Sequence, residues 1–234
     1  MLSDVMEDYL KAIYRIQARS GPPVSTSTIA EAVDKTPASV TSMLGTLEDR
    51  GLLLHQKYNG VELTPEGERV ALEVVRHHRL LEAYLAEHLD YSRSEVHDEA
   101  DALEHHISEE FERRVAAALD DPAVDPHGDP IPSADLAPLD GDDAALLSSH
   151  EVGDCVVVAR VSDRDRGDLE YLEDAGITPG TALELVEVAP FGMVTVRIDG
   201  DTDQSLPESV ADSIRVRAAA DPASACGCGE VTDA

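Results

Sequence analysis

Residues 36–67 read TPASVTSMLGTLEDRGLLLHQKYNGVELTPEG, and this stretch decides the fold. Thr36 is a natural N-cap and Pro37 suits the first helical position, so a helix is predicted to begin there and to end at Gly51. Its apolar side chains recur at i, i+4 and i+7, while the opposite face carries small polar residues. Two short β-prone segments then flank Asn59-Gly60, a strong hairpin signal. The stretch therefore predicts a polar-faced helix followed by a β-hairpin.

Two helical segments precede this stretch. Residues 4–18 place apolar side chains at helical spacing, GPPV at 21–24 ends that pattern, and residues 27–33 form a second, short helix. Helix, short helix, polar-faced helix and hairpin follow one another in the order of a winged helix-turn-helix. In that fold the third helix enters the major groove of DNA and the hairpin lies along the phosphate backbone.

The charge is distributed so that the N-terminal segment suits a polyanionic partner best. Residues 1–70 carry seven basic and ten acidic side chains, whereas residues 71–234 carry eleven and thirty-eight. A small helical domain without a nucleic-acid role is the alternative, but the polar face of the third helix and the near-neutral charge favour DNA binding. Three side chains are expected near the bases and a fourth, in the wing, at a phosphate: Thr36, Ser39, Ser42 and Lys57.

The chain of 234 residues as a whole is strongly acidic, with a net charge of −30 and only three lysines. Such a surface stays hydrated in concentrated salt, which screens its self-repulsion, so a salt-loving host is predicted. No apolar run is long enough to span a membrane and no signal peptide is visible, so a cytoplasmic protein without a membrane partner is expected. Three cysteines argue against a disulfide framework. The CGCGE tail could hold a soft metal but is expected to be unstructured.

Four further regions are predicted after the winged helix of residues 1–70. Residues 71–121 are helical nearly throughout and form a helical domain. Residues 122–149, rich in Pro and Asp, form a linker, and residues 150–217 hold short β segments typical of an SH3-like barrel. Residues 218–234 are expected to be disordered. The predicted fold class is therefore mainly α with a small β domain.

One stretch of the helical domain, HDEADALEHHI at 97–107, concentrates groups that can bind a metal. On one helix four of them, at i, i+4, i+7 and i+8, share a face: His97, Asp101, Glu104 and His105. His78 and Glu82 are likewise one turn apart on the preceding helix, and Glu7 and Asp8 lie on the first helix. Acidic surfaces scatter carboxylates widely and a lone histidine is more often solvated. Two groupings that each keep to one face nevertheless favour a divalent metal site.

With these motifs together, the sequence resembles the diphtheria toxin repressor family of metal-dependent transcription regulators, in a haloarchaeal form. The resemblance spans residues 1 to about 217. It rests on an ordered series of motifs: MEDYLKAIY (6–14), TPASVTSML (36–44), LTPEG (63–67), HHRLLEAYL (77–85), VHDEADALEHHIS (96–108) and GDPIP (128–132). The resemblance implies a winged-helix domain, a helical dimerisation domain with two metal sites, and a C-terminal SH3-like domain.

Carried over position by position, the resemblance implies two sets of ligands. The activating site takes Asp8, Asp101, Glu104 and His105. The second site takes His78, Glu82 and His97, completed by Asp165 or Asp168 from the SH3-like domain. Iron-type members have Met and Cys at the positions of Asp8 and Asp101, so the hard oxygen ligands here favour Mn²⁺, with Fe²⁺ left open. Lys11 stands where manganese-type members have a further carboxylate.

The expected function is that of a homodimeric repressor of metal-uptake genes. It binds a palindromic operator in double-stranded DNA, with Mn²⁺ or Fe²⁺ as co-repressor, and it is not expected to be an enzyme. Two alternatives come from other classes: a di-iron carboxylate enzyme, which would be built on paired Glu-x-x-His motifs, and a metal-buffering protein that uses the acidic surface and the tail. The paired motifs are missing in the required register, and neither alternative explains the winged helix.

Overall fold

The computed structural model describes residues 2–56, 59–139, 144–163, 165–190 and 192–219. The predicted phosphate contact Lys57 and the predicted disordered tail, apart from its first two residues, lie outside these ranges. The chain forms two compact units. The first comprises Met1–Leu81, Ala100–Pro122 and Ile131–Gly141, and the second comprises Glu82–Glu99, Ala123–Pro130 and Asp142–Ala234.

The N-terminal elements follow the predicted order and form a winged helix-turn-helix. They are α1 Asp4–Ser20, α2 Thr26–Ala32, α3 Pro37–Asp49, β1 Leu53–Gln56 and β2 Gly60–Leu63. The Thr36 side chain accepts a hydrogen bond from the Ser39 N–H and Pro37 lies in the first turn, so α3 begins where its cap and its proline predict. The strands β1 and β2 pair antiparallel, with Gln56 opposite Gly60.

Two glycines are required here by the close approach of backbone segments. Gly60 has a φ of +124°, and a Cβ at this position would lie 2.0 Å from the Val24 carbonyl oxygen. A Cβ on Gly67, at the start of the helix that follows the hairpin, would lie 1.9 Å from the Leu52 carbonyl oxygen. The sequence therefore keeps glycine where the hairpin is pressed against its neighbours.

A hydrophobic core joins these N-terminal elements. Its largest fully buried side chains come from the three helices and β1: Leu10, Ile13, Ile29, Leu44, Leu47 and Leu53. Burying such a side chain contributes about 1.5–3 kcal/mol. Leu136 and Leu139, which come from the segment predicted to be a linker, pack against the same core.

The helical region consists of α4 Pro65–His88, α5 Arg93–Leu103 and α6 Glu109–Ala118. The predicted continuous helix past residue 103 is wrong, because residues 104–106 form a turn and Ser108 caps α6 by accepting the Phe111 N–H. Glu104 and His105 therefore follow the end of α5 instead of extending its face. Phe111, on the first turn of α6, is 43% exposed. Apolar periodicity passes over a serine cap, which is why it does not reveal the interruption.

The segment predicted as a linker, residues 122–149, has defined structure over its described part. The Asp125 carboxylate accepts the N–H groups of His127 at 2.9 Å and of Asp129 at 3.0 Å. The end of the segment pairs with the C-terminal sheet through residues 145 and 146. Aspartate and proline build local turns over this part of the chain.

The C-terminal domain is a six-stranded antiparallel sheet, as expected for an SH3-like domain. Its strands are β3 Ala145–Leu146, β4 Cys155–Val161, β5 Ala182–Ala189, β6 Met193–Ile198, β7 Thr202–Pro207 and β8 Ile214–Ala218, in the order β3-β8-β4-β5-β6-β7. A 3₁₀ turn at Leu147–Ser149 and two helices, α7 Arg166–Asp174 and α8 Glu208–Ala211, connect them. The prediction missed β7, because Leu206 is its one buried residue and TDQSLP carries no apolar alternation. Over the described residues, no helix has the length and apolarity needed to cross a bilayer.

Candidate metal centres

The first cluster of metal-binding side chains lies within the first compact unit and gathers three segments of chain. Helix α1 supplies two acids and a lysine, α4 supplies a histidine, and the end of α5 with the turn after it supplies the rest. Its members are Glu7, Asp8, Lys11, His78, Asp101, Glu104 and His105. The amphipathic pattern of α1 buries Tyr9, Leu10 and Ile13 and so holds the acids at the edge of the core.

His105 connects this cluster to α1, the first helix of the winged helix-turn-helix. Its Nδ1 lies 2.8 Å from Glu7 Oε2 and its Nε2 lies 2.9 Å from Asp8 Oδ1. Burial lowers the pKa of His105, but the hydrogen bonds with Glu7 and Asp8 outweigh burial and raise this pKa above its ordinary value. In the absence of metal, a protonated His105 neutralises part of the carboxylate charge.

Lys11 holds the other half of the cluster. Its Nζ donates to Asp101 Oδ1 at 2.9 Å and to Glu104 Oε2 at 2.7 Å, and it lies 3.2 Å from His78 Nδ1. His78 and Glu104 are each 1% exposed or less. Burial raises the pKa of the Asp101 and Glu104 carboxyls, but His78 and Lys11 outweigh it and hold both pKa values below their ordinary range.

The donor atoms of the first cluster suit a divalent cation. Ligand atoms of Asp8, Glu104 and His105 all lie within 4.8 Å of one another, and so do those of His78, Asp101 and Glu104. Carboxylate oxygens and imidazole nitrogens match Mn²⁺ and Fe²⁺ better than soft, thiophilic ions. Glu104 belongs to both groups, so the cluster offers two adjacent cation positions that share one buried carboxylate.

A second cluster lies within the second compact unit. His97 Nδ1 is 3.2 Å from Glu82 Oε1 and 3.4 Å from Asp163 Oδ2, and the ligand atoms of all three residues fall within 4.8 Å of one another. Glu82 is buried, so its carboxylate needs a compensating cation or hydrogen-bond donors. These residues also fit a divalent ion.

His127 is a further member of the second cluster that sequence reasoning missed. It is 1% exposed, neither ring nitrogen has a hydrogen-bond partner among the described residues, and its Nε2 lies 3.8 Å from Glu82 Oε1. Its backbone is fixed by Asp125 on one side and by the Val161 N–H on the other. A buried imidazole that has no hydrogen-bond partner among the described residues and lies beside a carboxylate is well placed to be a metal ligand. The signal available in the sequence was a histidine within DPHGDP. The next residue, Gly128, lies so close to another segment that a Cβ there would be 2.1 Å from the Ala159 carbonyl oxygen.

The predicted ligands are distributed between the two clusters as follows. Asp8, Asp101, Glu104 and His105 meet in the first cluster, where His78 also lies. Glu82 and His97 meet in the second. Asp165 and Asp168 join neither group, because the Asp165 carboxylate caps α7 by accepting the N–H groups of Gly167 and Asp168. Asp163, two residues earlier, is the acid that reaches His97.

The predicted DNA-reading face is exposed. Thr36, Ser39 and Ser42 all point to solvent from the N-terminal half of α3. The Thr36 hydroxyl lies 3.0 Å from the Ser39 hydroxyl and accepts the Ser39 N–H, so Thr36 serves as the cap of the helix. The wing is fixed to the same helix, since Glu48 accepts the His55 N–H at 3.1 Å and lies 2.7 Å from its ring Nδ1.

The chain matches three family models in succession. Residues 1–61 match the N-terminal DNA-binding domain of iron-dependent repressors, residues 64–133 match their metal-binding and dimerisation domain, and residues 145–218 match the FeoA domain. The order of the three matches is the order of the domains in the structure.

Complete proteins match over nearly the whole chain. The iron-dependent repressor IdeR of Mycobacterium tuberculosis is 34% identical over 226 residues, which cover 92% of this chain and 97% of the relative. The diphtheria toxin repressor of Corynebacterium diphtheriae is 29% identical over 92% of this chain and 97% of the relative. A solved structure of a manganese-dependent transcriptional repressor in complex with manganese is 38% identical, with a TM-score of 0.84 over 92% of this chain and 100% of that one.

A winged helix-turn-helix joined to partly buried clusters of carboxylates and imidazoles defines a metal-responsive DNA-binding regulator. Its relatives are transcriptional repressors and not enzymes. The chain belongs to the iron-dependent repressor family, which includes the diphtheria toxin repressor. It therefore has a DNA-binding domain and a dimerisation domain and depends on a metal, as the family does.

Proposed function

We propose that this protein is a homodimeric repressor that binds DNA when a divalent metal occupies the first cluster. The observation that carries the proposal is the contact between α1 and the turn after α5. Glu7 and Asp8 belong to the DNA-binding domain, and both lie within 2.9 Å of a ring nitrogen of His105. A change at this cluster therefore acts directly on α1, which packs in the core of the DNA-binding domain.

The residues proposed to hold the activating ion are Asp8, Asp101, Glu104 and His105, with Glu7 beside them. The ion would supply positive charge that ties the two carboxylates of α1 to Glu104 and His105. The second cluster, proposed as a further metal site, uses Glu82, His97, Asp163 and His127. His105 contributes by giving up its proton, because only the neutral imidazole can ligate a metal.

Mn²⁺ is the proposed ion for the first cluster, with Fe²⁺ second. The members of the first cluster offer oxygen and nitrogen atoms, and over the described residues neither Met nor Cys is among them. The relatives do not decide the question, since some carry iron and others manganese in their names. Selectivity between these two ions is set by the free ion concentrations in the host as much as by ligand type.

The proposed DNA partner is a palindromic operator near metal-uptake genes, bound in the cytoplasm. A dimer presents two copies of α3, and two-fold symmetry in the protein is matched by two-fold symmetry in the site. Ser39 and Ser42 are proposed to contact base edges, Thr36 to orient them by capping α3, and Lys57 to contact a phosphate. Residues 1–70 carry only seven basic side chains against ten acidic ones, which would make the affinity less salt-dependent than that of a basic repressor.

The test is fluorescence-anisotropy binding to DNA from upstream of the protein's own gene, in concentrated KCl. The chelated protein is titrated with Mn²⁺, with Fe²⁺ under anaerobic conditions, and with Zn²⁺. Binding that requires metal supports the proposal, and coupling of roughly 1–3 kcal/mol between metal and DNA would change the affinity about 5- to 150-fold. Binding of equal strength with and without metal would contradict it.

Three variants locate the effect. His105→Ala should abolish the metal dependence, whereas His106→Ala, one residue later and exposed, should leave it intact. Ser42→Ala should weaken DNA binding without changing metal uptake. If His106→Ala behaved like His105→Ala, the ligand assignment would be wrong, whether or not the protein still responded to metal.

A further inference from the structure

The first cluster contains two adjacent cation positions, and one of them is already taken by the protein. Glu104 Oε1 lies 3.4 Å from His105 Nε2 on one side and 2.9 Å from Lys11 Nζ on the other. The group of His78, Asp101 and Glu104 has the spacing of a metal site, and the Lys11 ammonium lies within 3.2 Å of all three residues.

We propose that Lys11 is a resident cation that takes the place of a second metal ion, so that the first cluster binds one divalent ion, on the side of Asp8 and His105. This inference rests on the proposed function. Lys11 thereby determines how many ions the regulator senses. It is a residue that fixes the stoichiometry of the centre, and it is not itself a ligand.

Burial is the first argument for this role. Lys11 is 6% exposed and Glu104 is 1% exposed, and such charges are retained in a protein interior when they are paired and hydrogen-bonded. The ammonium has three N–H groups, and Asp101 and the two oxygens of Glu104 give it acceptors at 2.7–2.9 Å. A metal at this position would have to expel an ammonium from this full set of acceptors.

Charge balance is the second argument. Four carboxylates meet in the cluster, from Glu7, Asp8, Asp101 and Glu104. Lys11 together with one divalent ion leaves a single uncompensated negative charge. Replacing the lysine by a carboxylate and adding a second divalent ion leaves the same charge, so the two arrangements are electrostatic equivalents.

The test counts ions in the full-length protein. Wild type, Lys11→Glu and the control Lys35→Glu are freed of metal with a chelator, equilibrated with excess Mn²⁺ and separated from free ion by ultrafiltration. Bound manganese is then measured per chain. Lys35 lies on the turn before α3, so its substitution makes the same charge change away from both clusters. Lys11→Glu should bind one more Mn²⁺ per chain than wild type, and Lys35→Glu should match wild type.

Electron paramagnetic resonance of the bound Mn²⁺ gives a second readout. If Lys11 had only a structural role, its substitution would not change this spectrum. Two Mn²⁺ ions that share Glu104 would lie about 3.5–4 Å apart, as in other two-metal sites, and would be exchange-coupled. Lys11→Glu should show the coupled signal, and wild type should show the hyperfine pattern of isolated Mn²⁺. Equal ion counts in folded Lys11→Glu and wild type would overturn the inference.

A variant of the second cluster keeps the inference testable if Lys11→Glu does not fold. The double substitution His97→Ala with Asp163→Ala removes ligands of the second cluster only. That protein should retain one Mn²⁺ per chain, and two would show that Lys11 is displaced and the inference is wrong. If wild type binds no Mn²⁺ or its DNA binding ignores metal, the proposed function fails first. If metal-dependent binding holds but the counts are equal, only the role of Lys11 fails.

Discussion

The carboxylates of Glu7 and Asp8 favour the protonated form of His105, and a metal would compete with that proton. Because the pKa of His105 is raised, its stabilising charge is fully present below the pKa of the unfolded chain and is lost as the pH rises through the raised value. Metal affinity should therefore increase with pH across the same window, by up to about tenfold per pH unit. Calorimetry in two buffers of different ionisation enthalpy measures the protons released. His105→Ala should lose the pH dependence, while His106→Ala should keep it.

His127 offers a way to separate a ligand from a structural side chain. Its ring is buried and without hydrogen-bond partners in the described structure, so His127→Leu should leave the metal-free protein as stable as wild type, within about 1 kcal/mol. The stabilisation gained on adding Mn²⁺ should shrink. Thermal unfolding with and without metal measures both quantities. A loss of more than about 3 kcal/mol in the metal-free variant would assign His127 to the fold instead of to a metal site.

The sequence predicted which residue types would gather, but not all of their neighbours. Asp8, Glu104 and His105 could be singled out from spacing and resemblance because each sits in a recognisable motif. Lys11 could be placed at the site only through the resemblance, because no local pattern marks a lysine that reaches Glu104 across 93 residues of chain. Asp163 and His127 were missed for the same physical reason: tertiary packing, and not helical periodicity, brings them to His97 and Glu82.

Two glycines show how packing can reverse a local preference. Gly45 lies in α3, and a Cβ at this position would have no atom of another described segment within 4 Å, so Gly45→Ala should stabilise the protein by up to about 1 kcal/mol through helix propensity. Gly67 is also helical, but a Cβ there would lie 1.9 Å from the Leu52 carbonyl oxygen. Gly67→Ala should therefore destabilise the protein. Urea unfolding of the two variants should shift the midpoint in opposite directions, and stabilisation by both would contradict the packing argument.

The boundaries of the helices illustrate what local sequence can fix. Thr36 and Pro37 start α3 where their chemistry predicts, because capping is satisfied within one turn. Ser108 caps α6 and so marks the break between α5 and α6. In the sequence, however, the apolar pattern continues across this serine, and the pattern alone predicts an unbroken helix. The strand β7 lacks any apolar alternation and is held by its pairing with β6 instead.

The charge of the whole chain leads to a prediction about salt. With a net charge of −30, the acidic side chains repel one another in the folded state. Raising KCl from about 0.2 M to about 2 M shortens the Debye length to a few ångströms and so screens this repulsion. The free energy of unfolding should therefore rise with KCl, and each gain of about 1 kcal/mol should raise Tm by about 2–4 °C. Thermal unfolding followed by circular dichroism measures this. Sucrose at matched osmolality is the control, and an equal gain in sucrose would exclude charge screening as the cause.

Leu136 and Leu139 show that the DNA-binding domain depends on residues outside the range that matches its family model. The match to the dimerisation domain stops at residue 133, yet these two leucines lie beyond it and pack into the core of the DNA-binding domain. A protein shortened to the two matched N-terminal domains would lose two leucines that pack against the core of its DNA-binding domain. A cut that removes the C-terminal domain should therefore destabilise the DNA-binding domain more when it falls before Leu136 than when it falls after Leu139.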